Sequence, residues 1–458
     1  MAIADRFDCP LTIQSEDAAF AWGETAHAFL AHGPKAADHL TRVLDLDPQF
    51  AMGHAARGLF CLLLARRELV AIAENALSTA RAAQSEVGTT PREGAYVDAL
   101  ADWLAGRPSR AASRLDEVLA RHPADALTLK LVHQIRFMLG DSSGMRRSVE
   151  GVIGAYDARH PMAGYAHGCR AFALEETGDL VAAEAAGRRA LELSPDDAWG
   201  LHAVAHVHDM SGRARDGLAW LGDREASFAH CNNFRFHVWW HKALFHLDVG
   251  EIDAVLSLYD QSIRAEHSDD FRDIANGASL LSRLELEGID VGRRWEELAE
   301  ICERRVEDGC LVFADLHYLL ALCGGARGDS AGRLLDRMRA DADGVCDMSR
   351  VAADSGVAIA SALNAFRAGD YAAAYRWFAS GQPKIGSIGG SHAQRDVFER
   401  LAVEAAIRAG LLHEARLLLD DRARRRGAMD GFAHARLARI DDLMADNDHG
   451  RDRLQVAL

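Results

Sequence analysis

Paired cysteines and long apolar runs are both missing from this sequence. The eight cysteines are scattered between Cys9 and Cys346 with no Cys-x-x-Cys pair, whereas disulfide scaffolds are dense in cysteine and zinc ribbons show paired spacing. The most apolar uncharged stretch, residues 58–65, is too short to span a bilayer. The first ten residues carry three charges where a signal peptide has an apolar core. We therefore expect reduced thiols, no membrane association and a cytoplasmic location.

Positive charge is also in deficit. The sequence has 52 basic and 68 acidic residues, a formal net charge of −16. A protein that binds a phosphate backbone needs a net or clustered positive field, so no nucleic-acid partner is expected. The pattern typical of β-strands is absent too, because no segment alternates apolar and polar residues for long. Richness in Ala, Leu, Arg and Glu favours an all-α fold instead.

The glycines reveal a repeat. Five of them are separated by steps of 34, 38, 34 and 38 residues: Gly106, Gly140, Gly178, Gly212 and Gly250. A period near 34 is typical of tetratricopeptide arrays, so we predict a right-handed superhelix of stacked antiparallel helix pairs. Each of these glycines should lie in the turn between the two helices of a pair. Ser194 and Pro195 are predicted to begin the helix that follows them.

Three regions are expected along the chain. Residues 1–90 form N-terminal helical repeats, residues 91–265 form central repeats that carry a histidine-rich face, and residues 266–458 form C-terminal repeats. The last region includes a glycine-rich segment, residues 384–396, that interrupts the helical pattern. We expect the superhelix to curve enough for this segment to approach the histidine-rich face.

Several blocks resemble the tetratricopeptide repeat protein 38 family, and together they span roughly residues 90 to 415. The blocks are AFALEETG (171–178), DAWGLHAVAHVHDM (197–210), HVWWHKALFHLDVG (237–250), LYDQSI (258–263), LEGIDVGRRWEEL (286–298) and GGSHAQRDVF (389–398). The resemblance implies an all-helical superhelix whose inner surface differs from that of generic repeats. It supplies no reaction.

Histidine is concentrated in one part of the sequence. Seven of the 21 histidines fall within residues 202–246, where uniform usage would place about two. His202 and His206 are four residues apart, as are His237 and His241, so each pair shares one face of a helix. The pairs are 35 residues apart, close to one repeat, and should lie on neighbouring helices facing a shared concavity.

Three interpretations of these four histidines remain open. They are packing residues, an acid–base or ligand-binding pocket, or ligands of a divalent metal. No His-Glu-x-x-His motif is present, and a zinc site would need four side chains, or three and a water. Glu175 is a candidate to orient one imidazole, as a carboxylate does in a catalytic triad.

Two further groups are candidates for ligand binding. Trp199, Trp239 and Trp240 would supply apolar walls beside the histidines, with one of the adjacent pair pointing away. In the glycine-rich segment, Ser391, His392 and Arg395 follow successive glycines at a predicted helix start, a setting that attracts anions. The same residues also fit a capping box from Ser391 to Gln394 that anchors the array.

The sequence therefore favours a repeat protein that binds a small polar, anionic or peptide-like ligand in a His/Trp-lined concave groove. The alternative is an enzyme that uses the four histidines, with Glu175, for acid–base or metal-assisted hydrolysis. A scaffold for protein partners is the third interpretation. No cofactor is predicted beyond the divalent metal, and the sequence does not give an oligomeric state.

Overall fold

The computed structural model describes residues 3–456, with side chains as far as residue 446. Within residues 3–456, extended pairing is confined to one bridge between Ala4 and Pro10. The first half of the chain forms α1 (Glu16–Leu30), α2 (Ala36–Leu46), α3 (Ala51–Leu63), α4 (Arg67–Val87), α5 (Pro91–Leu104), α6 (Pro108–Arg121), α7 (Ala126–Met138), α8 (Ser142–Val152), α9 (Ala163–Glu175), α10 (Leu180–Leu193), α11 (Ala198–Met210) and α12 (Ala214–Gly222).

The second half continues the same pattern of helices joined by short turns. It comprises α13 (Phe234–Asp248), α14 (Ile252–Leu258), α15 (Phe271–Leu286), α16 (Arg294–Arg305), α17 (Val312–Gly324), α18 (Gly328–Ala342), α19 (Asp347–Val351), α20 (Val357–Arg367), α21 (Tyr371–Gly381), α22 (His392–Arg408), α23 (Leu412–Arg426) and α24 (Gly431–Val456). Consecutive antiparallel helices pack as pairs, and the pairs stack into a right-handed tetratricopeptide-like superhelix.

The predicted glycine positions are confirmed. All five repeat glycines lie between the helices of a pair, and each has a φ between 63° and 85°. Glycine adopts this left-handed conformation without a Cβ clash, which lets the chain reverse direction in a few residues. The pairs that they join are α5/α6, α7/α8, α9/α10, α11/α12 and α13/α14.

The predicted helix start at Ser194 and Pro195 is wrong. Ser194 ends α10 as its C-cap, and α11 begins at Ala198 after Asp197. Asp197 is the N-cap because its carboxylate accepts a hydrogen bond from the Gly200 amide at 3.1 Å. A carboxylate at this position satisfies an amide that the first helical turn leaves without a partner.

Small residues let neighbouring helices approach closely around α10. Ala183, Ala186, Gly187 and Ala190 are its buried residues. A Cβ on Gly187 would lie 2.5 Å from Cγ2 of Val204 in α11, so only glycine fits there. Close packing of this kind fixes the orientation of α11, which carries the first histidine pair.

The superhelix curves until its second half contacts its first. The Asp347 amide donates to the Gly106 carbonyl at 2.9 Å, and the His392 amide donates to Oε1 of Glu176 at 2.7 Å. Arg66 forms an ion pair with Asp269 at 2.5 Å. The concave surface is therefore enclosed by helices from both halves, and the glycine-rich segment reaches α9. The regional boundaries at residues 90 and 265 stay predictions.

Candidate metal centre

Four buried histidines meet between α11 and α13. His202 and His206 lie on one face of α11, and His237 and His241 lie on the facing side of α13. Each of the four side chains offers one nitrogen to a cluster in which all these nitrogens are within 4.8 Å of one another. The spacing of four residues within each helix and the offset of one repeat between them produce this convergence.

The Nε2 atoms form a chain of close contacts. The distance from His206 to His202 is 2.9 Å, from His202 to His237 it is 3.0 Å, and from His237 to His241 it is 3.3 Å. A metal ion bound to four nitrogens at about 2.0–2.1 Å holds them about 3.3–3.4 Å apart at the corners of a tetrahedron. The three distances in this chain of contacts are close to the edges of such a tetrahedron, and the other pairs of ligand nitrogens lie within 4.8 Å.

Asn276 in α15 fixes the tautomer of one imidazole. Its Oδ1 atom lies 2.8 Å from Nδ1 of His237. Since an amide oxygen only accepts, His237 donates from Nδ1 and its Nε2 carries a free lone pair. That lone pair is directed at the other imidazoles, as a metal ligand requires.

Glu175 is the acidic neighbour of the cluster. Its Oε2 atom is 3.5 Å from Nδ1 of His206, and both carboxylate oxygens are buried with no hydrogen-bond partner in the part of the chain that the structure describes. Burial, reinforced by the adjacent Glu176, raises the pKa of Glu175 well above its usual range. The Nδ1 atoms of His202 and His241 are likewise buried and unpartnered.

Burial keeps the imidazoles neutral. It lowers the pKa of His237 to about 4, with the Asn276 hydrogen bond opposing the shift. It lowers the pKa of His206 to about 3, although Glu176 opposes it. Burial and neighbouring imidazoles hold the pKa values of His202 and His241 well below the usual range. Neutral imidazole is the form that binds metals.

An aromatic layer surrounds the imidazoles. The ring centroid of Trp199 is 5.0 Å from that of His202, and Trp240 stacks on His237 at 5.2 Å. Phe172 and Phe234 close further sides of His202 at 5.5 and 5.3 Å. The four histidines are at most 8% exposed, so the centre is closed to bulk water.

Trp239 lies apart from this layer. Its ring contacts Phe228 at 5.2 Å, and the Lys242 ammonium lies over it. Of the adjacent tryptophans, Trp240 faces the histidines and Trp239 points away. The expectation that one of the two would do so is confirmed.

The glycine-rich segment binds a carboxylate of the chain itself, that of Glu176. The Glu176 carboxylate accepts hydrogen bonds from the His392 amide at 2.7 Å and from Arg395 at 3.1 Å. Although burial alone would raise the pKa of Glu176, His392 and Arg395 hold it below the usual range. The helix N-terminus and the arginine therefore neutralise Glu176 and join α22 to α9.

The predicted capping box at the start of α22 is present. Ser391 accepts from the Gln394 amide at 3.2 Å, and the Gln394 side chain accepts from the Ser391 amide at 3.0 Å. Arg395 does not pair with its neighbour Asp396, which instead contacts Arg400 and Arg422 at 2.6 Å each. The polar groups of Ser391, His392 and Arg395 are thus engaged within the chain.

Asn276, Phe172 and Phe234 were not predicted from the sequence. Asn276 follows His237 by 39 residues, which is close to one repeat. Applying the repeat offset once more from His237 would therefore have identified it. The two phenylalanines carry no sequence signal that separates them from ordinary core residues.

No protein-family model matches the chain. Among solved structures, yeast Tom70 is 12% identical with a TM-score of 0.34, over 95% of this chain and 90% of that one. A human IFIT1 dimer with PPP-AAAA is 13% identical with a TM-score of 0.41, over 95% and 96%. The P58(IPK) TPR domain is 16% identical with a TM-score of 0.19, over 86% and 88%. Because all three scores are below 0.5, no function is carried over from them. Within the described residues, no helix has the length and hydropathy needed to cross a membrane.

Proposed function

We propose that this chain is a helical-repeat protein that binds one divalent transition-metal ion through His202, His206, His237 and His241. The observation that carries the proposal is the convergence of four imidazole nitrogens within 4.8 Å in a buried site. Imidazole suits zinc, copper, iron and nickel. Zinc is the natural first probe because it favours four ligands at the corners of a tetrahedron.

Hydrogen bonding alone does not account for the cluster. Nε2 of His237 has one lone pair and accepts one linear hydrogen bond in a metal-free cluster, although Nε2 of His202 and Nε2 of His241 both lie within 3.3 Å of it. Nε2 of His202 carries either one proton or one lone pair, so it cannot form linear hydrogen bonds with both His237 and His206, which lie 3.0 and 2.9 Å away. A metal ion would accept all four lone pairs at once.

The buried carboxyl group of Glu175 fits the same conclusion. Without a cation, burial keeps this group protonated, because its pKa is raised well above the usual range, and it has no hydrogen-bond partner within the described residues. A divalent ion held by the neighbouring histidines would favour its ionised form. Glu175 would then act as the acceptor for Nδ1 of His206, the outer partner that metal-bound histidines usually have.

Four protein ligands and deep burial favour a binding centre over a hydrolytic one. Catalytic zinc sites usually keep one position open for water or substrate, whereas here four imidazoles would fill a tetrahedron. The ion would connect α11 to α13 and stabilise the folded superhelix by its binding free energy.

The test is metal content and its dependence on the cluster. Protein purified without chelator is analysed by elemental mass spectrometry, and chelator-treated protein is titrated with Zn²⁺ by calorimetry. We expect one ion per chain in the wild type and at least a hundredfold weaker Zn²⁺ binding in the double variant His202→Gln/His241→Gln. Cobalt substitution should give the absorption bands of a tetrahedral nitrogen site.

His208 and His246 provide a matched control. They lie on α11 and α13 but outside the cluster: His208 is near Trp220, and His246 pairs with Glu251 at 2.6 Å. The double variant His208→Gln/His246→Gln should bind Zn²⁺ as the wild type does. Wild-type protein that does not bind the ion, or equal loss in both double variants, would refute the metal centre.

A small anionic ligand on the concave side is a second candidate function. It is supported by a cavity near the cluster whose wall includes Lys130, a buried lysine that forms no ion pair with the described side chains. Membership of the tetratricopeptide repeat protein 38 family is part of this proposal and rests on the sequence blocks alone. Protein partners are the third proposal, on the general use of such superhelices.

A further inference from the structure

A cavity of about 250 Å³ lies between the two halves of the superhelix. Its wall combines α1–α3 and α7 from the first half with α15, α17 and the start of α22 from the second. The volume is slightly below the range of about 300–1,000 Å³ that is usual for ligand pockets. The cavity therefore suits a small molecule rather than a folded partner.

Lys130 is the unusual residue of this wall. It is only 2% exposed, and its ammonium lies 4.4 Å from the ring centroid of Trp199. Among the side chains of residues 3–446, no carboxylate forms an ion pair with it and no group is hydrogen-bonded to it. Burial lowers the pKa of Lys130, with the nearby Cys169 and Asp197 opposing the shift. Buried ammonium groups are normally paired, so this one has room for a partner.

The other basic groups at the cavity are already neutralised. Arg272 donates two hydrogen bonds to the Asp270 carboxylate, at 2.8 and 2.6 Å. Burial holds the pKa of His32 well below its usual range, so this imidazole is uncharged. Among the described basic groups of the wall, Lys130 is therefore the one without an ion-pair partner, and the nearby Asp197 carboxyl group, whose pKa burial raises to about 7, balances the ammonium charge only in part.

The rest of the wall is largely apolar and aromatic. Phe29 and Phe60 stack with their ring centroids 4.4 Å apart, and Phe137, Phe271 and Phe313 add further ring surface. Two polar nitrogens on wall residues have no hydrogen-bond partner, Nε2 of His32 and Nε2 of Gln134. Such a wall fits an apolar body with a single polar end.

We infer that this cavity binds a small free carboxylic acid, with the carboxylate on Lys130 and an apolar body against the phenylalanines. The inference deepens the second candidate function and does not depend on the metal centre. A carboxylate is favoured over a phosphate monoester because one lysine balances one negative charge and would leave the second charge of a phosphate unpaired in an apolar cavity.

The cavity and the histidine cluster share one side chain, Trp199. Its ring lies under the Lys130 ammonium on one side and 5.0 Å from His202 on the other. Its indole N–H donates to Nε2 of His133 at 3.1 Å, which fixes the ring in place. The two sites are therefore adjacent, and each needs its own readout.

The test uses decanoate as the probe, with delipidated full-length protein and calorimetry. We expect decanoate to bind the wild type at least tenfold more tightly than 1-decanol or decyl phosphate, and decyltrimethylammonium not to bind. In Lys130→Met, which keeps the length of the side chain, decanoate should bind at least tenfold more weakly while decanol is unaffected. Zinc content measured on the same preparation should be unchanged, which separates failure of this inference from failure of the metal centre.

Lys242 supplies the matched control. Its ammonium lies 5.1 Å from the ring centroid of Trp239, a similar cation–π contact away from the cavity. Lys242→Met should bind decanoate as the wild type does. Ala36→Phe, at the cavity wall, should weaken decanoate and decanol together and tests the location even if Lys130→Met does not fold. Equal binding of decanoate and decanol, undiminished binding in folded Lys130→Met, or no binding of decanoate by the wild type would overturn the inference.

Discussion

Two buried polar clusters in this superhelix differ in how far their charges and hydrogen-bonding groups have partners. In the arginine–aspartate cluster, Arg422 donates to Asp396 at 2.6 Å and to Asp430 at 2.9 and 2.5 Å, and Arg400 also contacts both carboxylates. In the histidine cluster, four neutral imidazoles face one another and three of their Nδ1 atoms have no hydrogen-bond partner.

This difference in partners distinguishes polar groups that stabilise the fold from polar groups that would bind a ligand. The arginine–aspartate cluster balances its own charge and fills its hydrogen bonds, so nothing further is required to bury it. Each neutral imidazole of the histidine cluster has one donor and one lone pair, but the Nε2 atoms are directed at one another and not at separate partners, and a bound cation would accept a lone pair from each. Burial alone therefore does not identify a functional site, and the convergence of four ligand nitrogens is what distinguishes the histidine cluster.

The largest effect is expected from removing one partner of the satisfied cluster. Arg422→Met would leave Asp396 and Asp430 buried with Arg400 as their remaining close partner, since Arg283 and Arg426 lie 3.7 and 3.8 Å away. We expect a loss of about 3–5 kcal/mol in the free energy of unfolding, measured by urea denaturation. Bound metal should still be one ion per chain at low urea.

Arg424→Met is the control for this variant. Arg424 is on the same helix, 70% exposed, and pairs with Asp421 at 3.0 Å. Exposed ion pairs contribute about 0–1 kcal/mol. If both variants lost the same small amount, the arginine–aspartate cluster would not be the stabilising element described here.

A smaller effect is expected from Asn276, which supports the histidine cluster from α15. Asn276→Leu removes the acceptor for Nδ1 of His237 and should weaken Zn²⁺ binding about 10–100-fold in calorimetric titration. Asn276→Asp keeps an acceptor oxygen and should retain wild-type affinity. If the aspartate variant were as weak as the leucine variant, Asn276 would act through packing and not through the tautomer of His237.

Lowering the pH should affect the two clusters in different pH ranges. Each carboxylate that takes up a proton only on unfolding changes the free energy of unfolding by about 1.4 kcal/mol per pH unit. Arg422 and Arg400, against the opposing effect of burial, hold the pKa values of Asp396 and Asp430 below 3.8. The unfolded chain therefore binds more protons below pH 3.8, and the stabilisation by these groups is present above that pH and lost below it.

The histidine cluster should respond at higher pH, because its imidazoles ionise near pH 6.5 in the unfolded chain but only near pH 4 or below in the fold. Below pH 6.5 the unfolded chain therefore binds more protons than the folded one, and we expect the stability of chelator-treated protein to fall between pH 6.5 and pH 4, while the arginine–aspartate cluster is still intact. The measurement is the urea midpoint as a function of pH, compared between the wild type and His202→Gln/His241→Gln. A wild-type midpoint that does not change between pH 6.5 and pH 4, or a fall in stability from Asp396 and Asp430 that begins above pH 5, would contradict this order.

The sequence by itself determined the helix pairs, their turns and the meeting of the four histidines. These features follow from local rules: a glycine in the left-handed region ends a helix, residues four apart share a face, and an offset of one repeat brings that face to the next helix. The helix start at Pro195 was placed wrongly because Ser194 is the C-cap of α10, and the carboxylate of Asp197 caps the helix that follows.

Only the tertiary structure decided what surrounds the histidines. Glu176 and Arg395 are 219 residues apart, and the cavity at Lys130 is closed by helices from both halves of the chain. Such contacts depend on the curvature of the superhelix, which is the sum of many small rotations between neighbouring helix pairs. Each rotation is set by the side-chain volumes at one interface, so no local pattern in the sequence contains the total.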